Sequence, residues 1–495
     1  MNKTFIKVLA LVLTFALVVP FVVSCGDPAP QQVTRPGTEG GATTDVETGV
    51  DSTGEVKIQP KIPEGITFND DGTPYKFRIL SYDPGNEWAV RDMGAEEINE
   101  DPINDSVFNR NKYVEDLLKI EIVEIPAANA SDLAKKSVAA GLDEYDLIVV
   151  PTASTASLAQ NGYLYRLDEL EYLDPTQPWW DTNSYESLSI ANAHYMIVGD
   201  IQIMDKDATW VQFFNKKMIE DYALENPFDL VKNNEWTIDK QIEMIKQVTD
   251  DTNGDGLYTK DDTFGMVSTT FSPMGFFYGF GEQIATKNAD DIPELSMNSP
   301  KISQIVNYAD QLCSVNSKIA FAGQPADVQE IFEQGRGLFM GEVLQLAERL
   351  REMDTDFGLI PYPKFDKDQE NYYSVVHPTT CVVSVPLTIT DEERTGIILE
   401  ALCAESKYTL RKAYYDTSLT TKFLRYDDGS SEMLDLIFNN RVYDLGIIND
   451  WGGYYSGFVA LFTSGSTDFA SMYAKNESRA IKAIDQVVER YLDAE

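Results

Sequence analysis

Histidine and cysteine are both scarce in this chain. Its 495 residues include two histidines, His194 and His377, which stand far apart in the sequence, and four cysteines. Two separated histidines argue strongly against a zinc site built from several histidines, and they weaken any proposal of a Ser-His-Asp triad. The sequence therefore argues against a zinc enzyme and against a serine hydrolase.

Positive charge is the second shortage. Lys and Arg number 40 against 80 Asp and Glu, which gives a formal net charge of -40 and a pI near 4.3. Such a field repels phosphate backbones and attracts divalent cations, so we expect no nucleic-acid partner. The chain is 43% hydrophobic and 11% aromatic, enough for a sizeable core. Its length suggests two or three lobes of about 150 residues each.

The N-terminal apolar run is too short to span a membrane. Lys3 and Lys7 precede this run, which extends over residues 8–23 and is interrupted by Pro20. A bilayer-spanning helix needs about 20 apolar residues. Basic residues followed by a short apolar core are typical of a secretory signal, so residues 1–24 are predicted to be a signal peptide.

Cys25 stands directly after the predicted cleavage site. That position resembles the lipobox of bacterial lipoproteins, in which Cys25 becomes the lipidated first residue of the mature chain. Residues 25–70 begin with a long stretch rich in Pro, Gly, Thr and Gln, which predicts a lipidated flexible tether. We therefore expect a protein anchored by lipid on the extracellular face of the bacterial cell membrane. An ordinary signal peptide or an uncleaved anchor is the alternative.

Three cysteines remain beyond the tether. Cys313, Cys381 and Cys403 are odd in number and lack the spacing of a metal site. A disulfide between two of them and three buried free thiols both remain open from the sequence.

Strand and helix patterns alternate from Tyr75 onward. Residues 75–82 alternate as a strand does, residues 120–125 mark a second strand, and residues 146–151 form the continuous apolar run of a strand buried on both faces. Helical patterns separate these strands, which indicates an α/β lobe with a largely parallel sheet. After Ile302 the chain becomes more helical.

Residues 251–262 have the pattern of an EF-hand-type calcium loop. Oxygen-bearing side chains occupy loop positions 1, 3, 5 and 12, and glycine occupies position 6, as the sharp turn requires. The pattern predicts one structural Ca²⁺ held by Asp251, Asn253, Asp255, Leu257, Thr259 and Asp262, with Leu257 offering its carbonyl. The closing Asp262 resembles the dockerin variant of the loop. The alternative is an acidic surface turn with no ion.

Aromatic residues are placed beside polar, turn-like segments. Sugars present flat C–H faces that pack on aromatic rings, while carboxylates accept hydrogen bonds from their hydroxyls. For any single tryptophan, packing in the core is the alternative. The predicted ligand-binding residues are Glu87, Trp88, Trp179, Trp180, Asp181, Trp210, Glu342, Trp451 and Tyr454.

Two glycine-containing segments resemble a known family. Residues 335–342 and 357–363 look like two passages found in the sugar-binding branch of extracellular solute-binding proteins of ABC importers. Residues 101–122, Trp179-Trp180-Asp181, Gly199-Asp200, Phe214-Asn215-Lys216 and the calcium loop resemble a lipoprotein subgroup of that family. The resemblance covers nearly the whole mature chain, and the order of the segments is its most specific feature.

The resemblance implies an α/β, two-lobed periplasmic-binding-protein-like fold with a hinge, here with a helical C-terminal half. Under this interpretation lobe 1 comprises residues 71–195 and 325–375. Lobe 2 comprises residues 196–324 and 376–495 and carries the calcium loop. We expect the chain to cross between the lobes near residues 190–205, 312–328 and 370–385.

The resemblance also implies a function without catalysis. Such a protein captures a carbohydrate, here expected to be an oligosaccharide, between its lobes and delivers it to the transmembrane subunits of an ABC permease. We expect a monomer. A secreted glycan-degrading enzyme with two carboxylates is one alternative, and a calcium-dependent surface scaffold is another, although a dockerin needs a second copy of the loop.

Overall fold

The computed structural model describes residues 49–50, 56–63, 65–66, 68–69, 71–419 and 429–493. The predicted signal peptide, Cys25 and much of the tether lie outside these residues. Within the described part of the chain, no helix combines the length and the apolar character needed to cross a membrane.

Fifteen strands occur in the described residues. They are β1 Gly49–Val50, β2 Val56–Lys57, β3 Tyr75–Tyr82, β4 Ile120–Ala127, β5 Leu147–Pro151, β6 Trp210–Asn215, β7 Phe264–Thr269, β8 Ala285–Lys287, β9 Pro293–Leu295, β10 Ala320–Gly323, β11 Gly337–Val343, β12 Phe357–Ile360, β13 Ser374–Val375, β14 Cys381–Ser384 and β15 Arg441–Val442.

Eighteen α-helices accompany them in the same described residues. They are α1 Pro102–Leu118, α2 Ala130–Ala139, α3 Thr152–Gln160, α4 Thr182–Ser187, α5 Met204–Asp207, α6 Lys216–Asp221, α7 Pro227–Lys232, α8 Ile238–Val248, α9 Ser272–Gly279, α10 Ile302–Cys313, α11 Pro325–Glu333, α12 Leu346–Arg349, α13 Glu392–Tyr408, α14 Leu410–Leu419, α15 Ser430–Asn439, α16 Leu445–Asn449, α17 Tyr454–Thr463 and α18 Phe469–Asp493.

The first lobe is built on a four-stranded sheet in the order β14-β5-β3-β4. Strand β3 pairs in parallel with β4 and β5, and β14 pairs antiparallel with β5. Alternate residues of a strand point to opposite faces of the sheet. Leu147 and Val149 belong to one hydrophobic cluster and Ile148 and Val150 to another, so β5 is buried on both faces as its apolar run predicts.

The second lobe is built on a five-stranded sheet in the order β10-β7-β11-β6-β12. Strand β11 lies at its centre, parallel to β7 and antiparallel to β6. Val211 and Phe213 pack in one cluster while Trp210 and Phe214 pack in another, so helices cover both faces here too. The carboxyl ends of β7 and β11 lead into the segments that form the site described below.

The division of the chain between the lobes differs from the predicted one. Residues 325–375, predicted in lobe 1, contain β11 and β12, which hydrogen-bond to β7 and β6 of the second sheet. Residues 376–495, predicted in lobe 2, contain β14, which pairs with β5 of the first sheet. A hydrophobic pattern identifies a strand but carries no information about its distant partner, so this part of the prediction is corrected.

The crossing segments follow from the sheets. The chain leaves the first lobe through α5 and enters β6, and it returns between β13 and β14, where an isolated bridge pairs Thr209 with Val376. Helix α14 contacts α1 of the first lobe, whereas α15 contacts β12 of the second lobe. The predicted crossing at residues 312–328 instead lies inside the second lobe, because β10 belongs to its sheet.

Cys313, Cys381 and Cys403 are buried free thiols. Of the two arrangements that the sequence left open, the structure therefore has the one without a disulfide.

Candidate functional site: a cavity between the lobes

A cavity of about 330 Å³ lies where both lobes meet the returning crossing segment. Pockets for small ligands commonly measure about 300–1,000 Å³. The cavity brings together four of the predicted ligand-binding residues from distant parts of the sequence, Glu87, Trp88, Trp210 and Glu342. The other lining residues are Phe271, Pro325, Val328, Gln329, Met340, Val343, Gln345, Leu346, Arg349, His377 and Thr379.

The loop after β3 supplies the wall from the first lobe. Local hydrogen bonds fold this loop: the Asp83 carboxylate accepts from Gly85 N at 2.8 Å, and the Asn86 side-chain oxygen accepts from Trp88 N at 2.9 Å. Gly85 has a φ of 73°, a conformation that glycine adopts without strain. Short polar residues and one glycine thus turn the chain so that Glu87 and Trp88 reach the cavity.

Strands β6 and β11 supply the opposite wall. Their antiparallel register places Trp210 directly across from Val343, and Glu342 across from Val211. Trp210 is 3% exposed, so its ring forms part of the cavity wall rather than a free surface. Phe271 follows the carboxyl end of β7 and adds a second aromatic ring from this lobe.

His377 stands among the aromatic rings of the cavity. Its ring centroid lies 6.5 Å from that of Trp88, 6.3 Å from Trp210 and 5.9 Å from Phe271. Burial lowers the pKa of His377 to about 4, so its imidazole is neutral at physiological pH. Thr379 N lies 3.3 Å from Nδ1. The Thr379 hydroxyl lies 2.8 Å from the same nitrogen, and Nε2 lies 3.4 Å from the Tyr455 hydroxyl.

Glu342 is the acidic group of the second lobe in this cavity. Burial raises the pKa of its carboxyl to about 7, while the hydrogen bond from Val343 N and the positive charge of Arg349 act in the opposite direction. Val343 N donates to Oε1 at 3.0 Å. A carboxylate with one backbone donor keeps acceptor capacity for further donors such as sugar hydroxyls.

A second cavity, of about 260 Å³, holds three other predicted residues, Trp179, Trp180 and Asp181. Both indole N–H groups donate to the buried Glu400 carboxylate, at 3.1 Å and 2.8 Å. The rings are 1% and 6% exposed and belong to the core of the first lobe. Asp181 caps α4 by accepting from Ser184 N at 2.9 Å. Each of these side chains therefore has a structural role in the fold.

The charges of this second cavity are paired within the protein. Arg441, on β15, forms ion pairs with Asp181 and with Asp205 of α5. Lys206 lies 3.3 Å from Asp205 and 3.7 Å from Asp200. This network joins the first lobe, the crossing helix α5 and β15, which suits a structural role at the hinge.

Trp451 and Tyr454, the last two predicted ligand residues, lie among the C-terminal helices. They are 3% and 0% exposed and pack in the large central cluster. Tyr454 donates its hydroxyl to Tyr473 O at 2.8 Å and stacks on the Tyr473 ring at 5.3 Å. The neighbouring Tyr455 instead turns toward the first cavity, where its ring stacks on Phe271 at 6.3 Å.

Sequence reasoning missed several residues of the first cavity. His377, Phe271, Arg349, Gln345 and Tyr455 were not singled out, although His377 falls inside a predicted crossing segment and is one of two histidines in the chain. That combination was the signal available for His377. Gln345 and Arg349 follow the glycine-containing segment of residues 335–342, and Tyr455 follows the predicted Tyr454, so three of the others stand next to segments that the sequence does indicate.

The predicted calcium loop forms a compact turn between α8 and β7. Asp251 accepts from Gly254 N at 2.8 Å and Gly256 N at 2.7 Å, and Asp262 accepts from Thr252 N at 3.0 Å and Thr259 N at 2.8 Å. In the described residues, no group of three or more His, Cys, Asp or Glu side chains is arranged to hold a metal ion. Three of the six predicted ligands are an amide, a carbonyl and a hydroxyl oxygen, from Asn253, Leu257 and Thr259, and calcium binding stays a prediction.

Solved structures similar to this one are solute-binding proteins. An ABC substrate-binding protein from Listeria monocytogenes in complex with cycloalternan is 14% identical, with a TM-score of 0.52, over 83% of this chain and 99% of that chain. A cyclo/maltodextrin-binding protein with maltotetraose is 12% identical, with a TM-score of 0.55, over 86% and 98%. UgpB from Mycobacterium tuberculosis with glycerophosphocholine is 14% identical, with a TM-score of 0.54, over 83% and 99%.

This chain has the fold of an ABC-importer solute-binding protein. The two-lobed α/β fold expected from the sequence resemblance is thereby confirmed. Profiles of known protein families and curated proteins give no match to the chain. The similar proteins bind solutes rather than catalyse reactions, and two of the three are bound to oligosaccharides.

Proposed function

We propose that this protein captures a carbohydrate in the cavity between its lobes and delivers it to the permease of an ABC importer. The proposal includes an oligosaccharide as the solute, no catalysis, and attachment to the outer face of the membrane through lipid on Cys25. The observation that carries it is the cavity of about 330 Å³, in which Trp88, Trp210 and Phe271 surround His377 beside the carboxyl of Glu342.

The chemistry of the cavity favours a sugar. Flat aromatic rings pack against the C–H faces of a pyranose, and Glu342 accepts hydrogen bonds from its hydroxyls. Arg349, the basic side chain of the lining, forms an ion pair with Glu87, so its charge is already compensated. A ligand carrying phosphate or carboxylate would meet Glu342 without a free cation to balance it.

A thermal-shift screen of mono- and oligosaccharides tests this proposal. A ligand present at 100 times its dissociation constant adds about 2.7 kcal/mol to the free energy of unfolding. We expect a selective rise in Tm with at least one glycan, with the glycan recovered intact. Cleavage of a glycan would instead favour an enzyme, and no response to any glycan would point to a non-sugar solute or a scaffold.

Two tryptophan variants test which of the two cavities binds the ligand. We expect Trp210→Ala to weaken glycan binding by about 5- to 150-fold, because loss of a stacking ring costs about 1–3 kcal/mol by analogy with bases on aromatic platforms. Trp180→Ala is the matched control, since its ring packs in the core of the first lobe and lines the other cavity. Weaker binding in the Trp180 variant alone would move the site to the second cavity.

We also propose that residues 251–262 hold one structural Ca²⁺. The sequence pattern supports this, and Asp251 and Asp262 face the interior of the turn through hydrogen bonds to its N–H groups. Chelation by EDTA should lower the Tm of the parent. Asp255→Ala should remove that response, whereas Asp261→Ala, at a loop position without a ligand role, should keep it. If EDTA leaves the Tm of the parent unchanged, the loop does not hold calcium.

A further inference from the structure

Charged side chains from the two lobes meet at the rim beside the cavity. Glu87 and Arg91 lie on the loop after β3, and Gln345, Glu348 and Arg349 lie after β11 and in α12. Arg349 forms an ion pair with Glu87, and Arg91 lies 3.3 Å from Glu348. Gln345 Nε2 donates to Glu87 O at 2.8 Å. These contacts join the two lobes directly.

Arg91 also contacts the crossing helix α5. Arg91 lies 3.0 Å from Asp207 of the crossing helix α5, and the Tyr414 hydroxyl donates to the same carboxylate at 2.9 Å. Asp207 is 3% exposed, and burial raises the pKa of its carboxyl to about 6, although the positive charge of Arg91 acts in the opposite direction. Arg91 therefore links the rim contact to the segment about which the lobes turn.

We propose that these rim contacts are a latch that holds the lobes together in the absence of ligand. The charges are complementary as a set, since the first lobe offers Glu87 and Arg91 and the second offers Arg349 and Glu348. The inference depends on the two-lobed fold and the rim contacts, not on the identity of the solute. Ligand entry to the cavity then requires the latch to part, and the closed form is available before ligand arrives.

The latch is weak because its ion pairs are exposed to solvent. The side chains of Glu87 and Arg349 are 48% and 49% exposed, and exposed ion pairs shift an equilibrium by about 1.4- to 5-fold each. Their attraction falls with ionic strength, because the Debye length shrinks to about 3 Å at 1 M salt. A weak latch biases the lobes toward closure while still permitting thermal opening.

Spin-label distance measurements on the full chain test the proposal. Nitroxides are attached at Ala128→Cys, just after β4, and at Ala326→Cys, in the first turn of α11. Both positions are exposed and lie at the carboxyl-end side of the two sheets. Cys25→Ser prevents labelling of that thiol, and the three other cysteines are buried. Pulsed electron-electron double resonance then reports the fractions of short and long interlobe distances.

We expect Arg349→Glu to raise the ratio of open to closed protein by about two- to thirtyfold, because it replaces an attraction with a repulsion of similar size. The double variant Glu87→Arg/Arg349→Glu restores opposite charges and should return the distances to those of the parent. Lys240→Glu, which reverses a charge paired with Glu225 and Glu243 within the second lobe, should leave them unchanged.

Ionic strength provides an independent measurement on the parent. Raising salt from about 50 mM to about 1 M should increase the open fraction of the parent and decrease that of Arg349→Glu, since screening weakens the attraction in the parent and the repulsion in the variant. The proposal is overturned if the parent shows the same distances at both ionic strengths. It is equally overturned if Arg349→Glu folds and matches the parent, or if the double variant stays open.

Discussion

Glu342 offers a prediction that connects the cavity to the stability of the whole protein. Burial raises the pKa of its carboxyl from 4.5 to about 7. The folded state therefore holds the proton more tightly than the unfolded state does. Below about pH 4.5 the group is protonated in both states and costs nothing. Between about pH 4.5 and pH 7 the free energy of unfolding falls as pH rises, and above about pH 7 the full cost is present.

The magnitude follows from the size of the pKa change. One pKa unit corresponds to about 1.4 kcal/mol, and solvent screening at a partly buried carboxyl reduces the effect, so we expect a cost of about 1–3 kcal/mol at pH 8. Glu342→Gln, which is neutral at every pH, should remove this cost. The variant should therefore exceed the parent in Tm by several degrees at about pH 8 and match it at about pH 4.

The assay is the Tm of parent and variant across this pH range at constant salt. Glu220→Gln, at an exposed position on α6, is the matched control and should differ from the parent by the same amount at every pH. The reasoning about burial is refuted if Glu342→Gln changes Tm equally at both ends of the range. It is also refuted if the variant is the less stable protein at pH 8.

Two further substitutions test the packing around the sites. Arg441→Met should destabilise the protein by about 3–5 kcal/mol, because it leaves the buried Asp181 carboxylate without a cation and Asp205 with Lys206 alone. Lys217→Met, which loses one exposed i,i+4 pair, should cost less than about 1 kcal/mol. Equal Tm values for the two variants would contradict the buried-network argument. Gly341→Ala should lower Tm strongly, because the new Cβ would overlap the buried Tyr362 hydroxyl. Gly396→Ala in α13 is the control: its Cβ meets only contacts at 3.6 Å, so this variant should keep or raise Tm by helix propensity. If Gly341→Ala leaves Tm unchanged, Tyr362 can move.

The sequence predicts local structure well where the signal is local. The alternation of residues 75–82 and the apolar run of residues 146–151 correspond to β3 and β5. The start of α1 illustrates the limit of such reasoning, because Asn104, Asp105 and Ser106 are all residue types that favour the N-cap position. The structure places the cap at Asp101, whose carboxylate accepts from Ile103 N and Asn104 N at 2.9 Å. Pro102 suits the first helical position, which was the overlooked signal.

Strand pairing is the part that local patterns could not supply. Strand β14 lies more than 200 residues from β5 yet pairs with it over residues 381–384 and 148–151. The fully buried strands of both sheets have the same apolar composition, so nothing in their sequences distinguishes one sheet from the other. The predicted division of the chain therefore misplaced residues 325–375 as well as β14.

The same limit applies to the predicted ligand-binding aromatic residues. Trp88 and Trp180 both stand beside an acidic residue in a polar segment, and the sequence treats them alike. Trp180 finds its partner in Glu400, 220 positions away, which accepts its indole N–H. The ring of Trp88 instead lies 6.5 Å from that of His377 at the cavity. An aromatic residue beside an acid thus indicates a ligand platform only when the fold leaves its ring facing a cavity, and that is decided by residues distant in the chain.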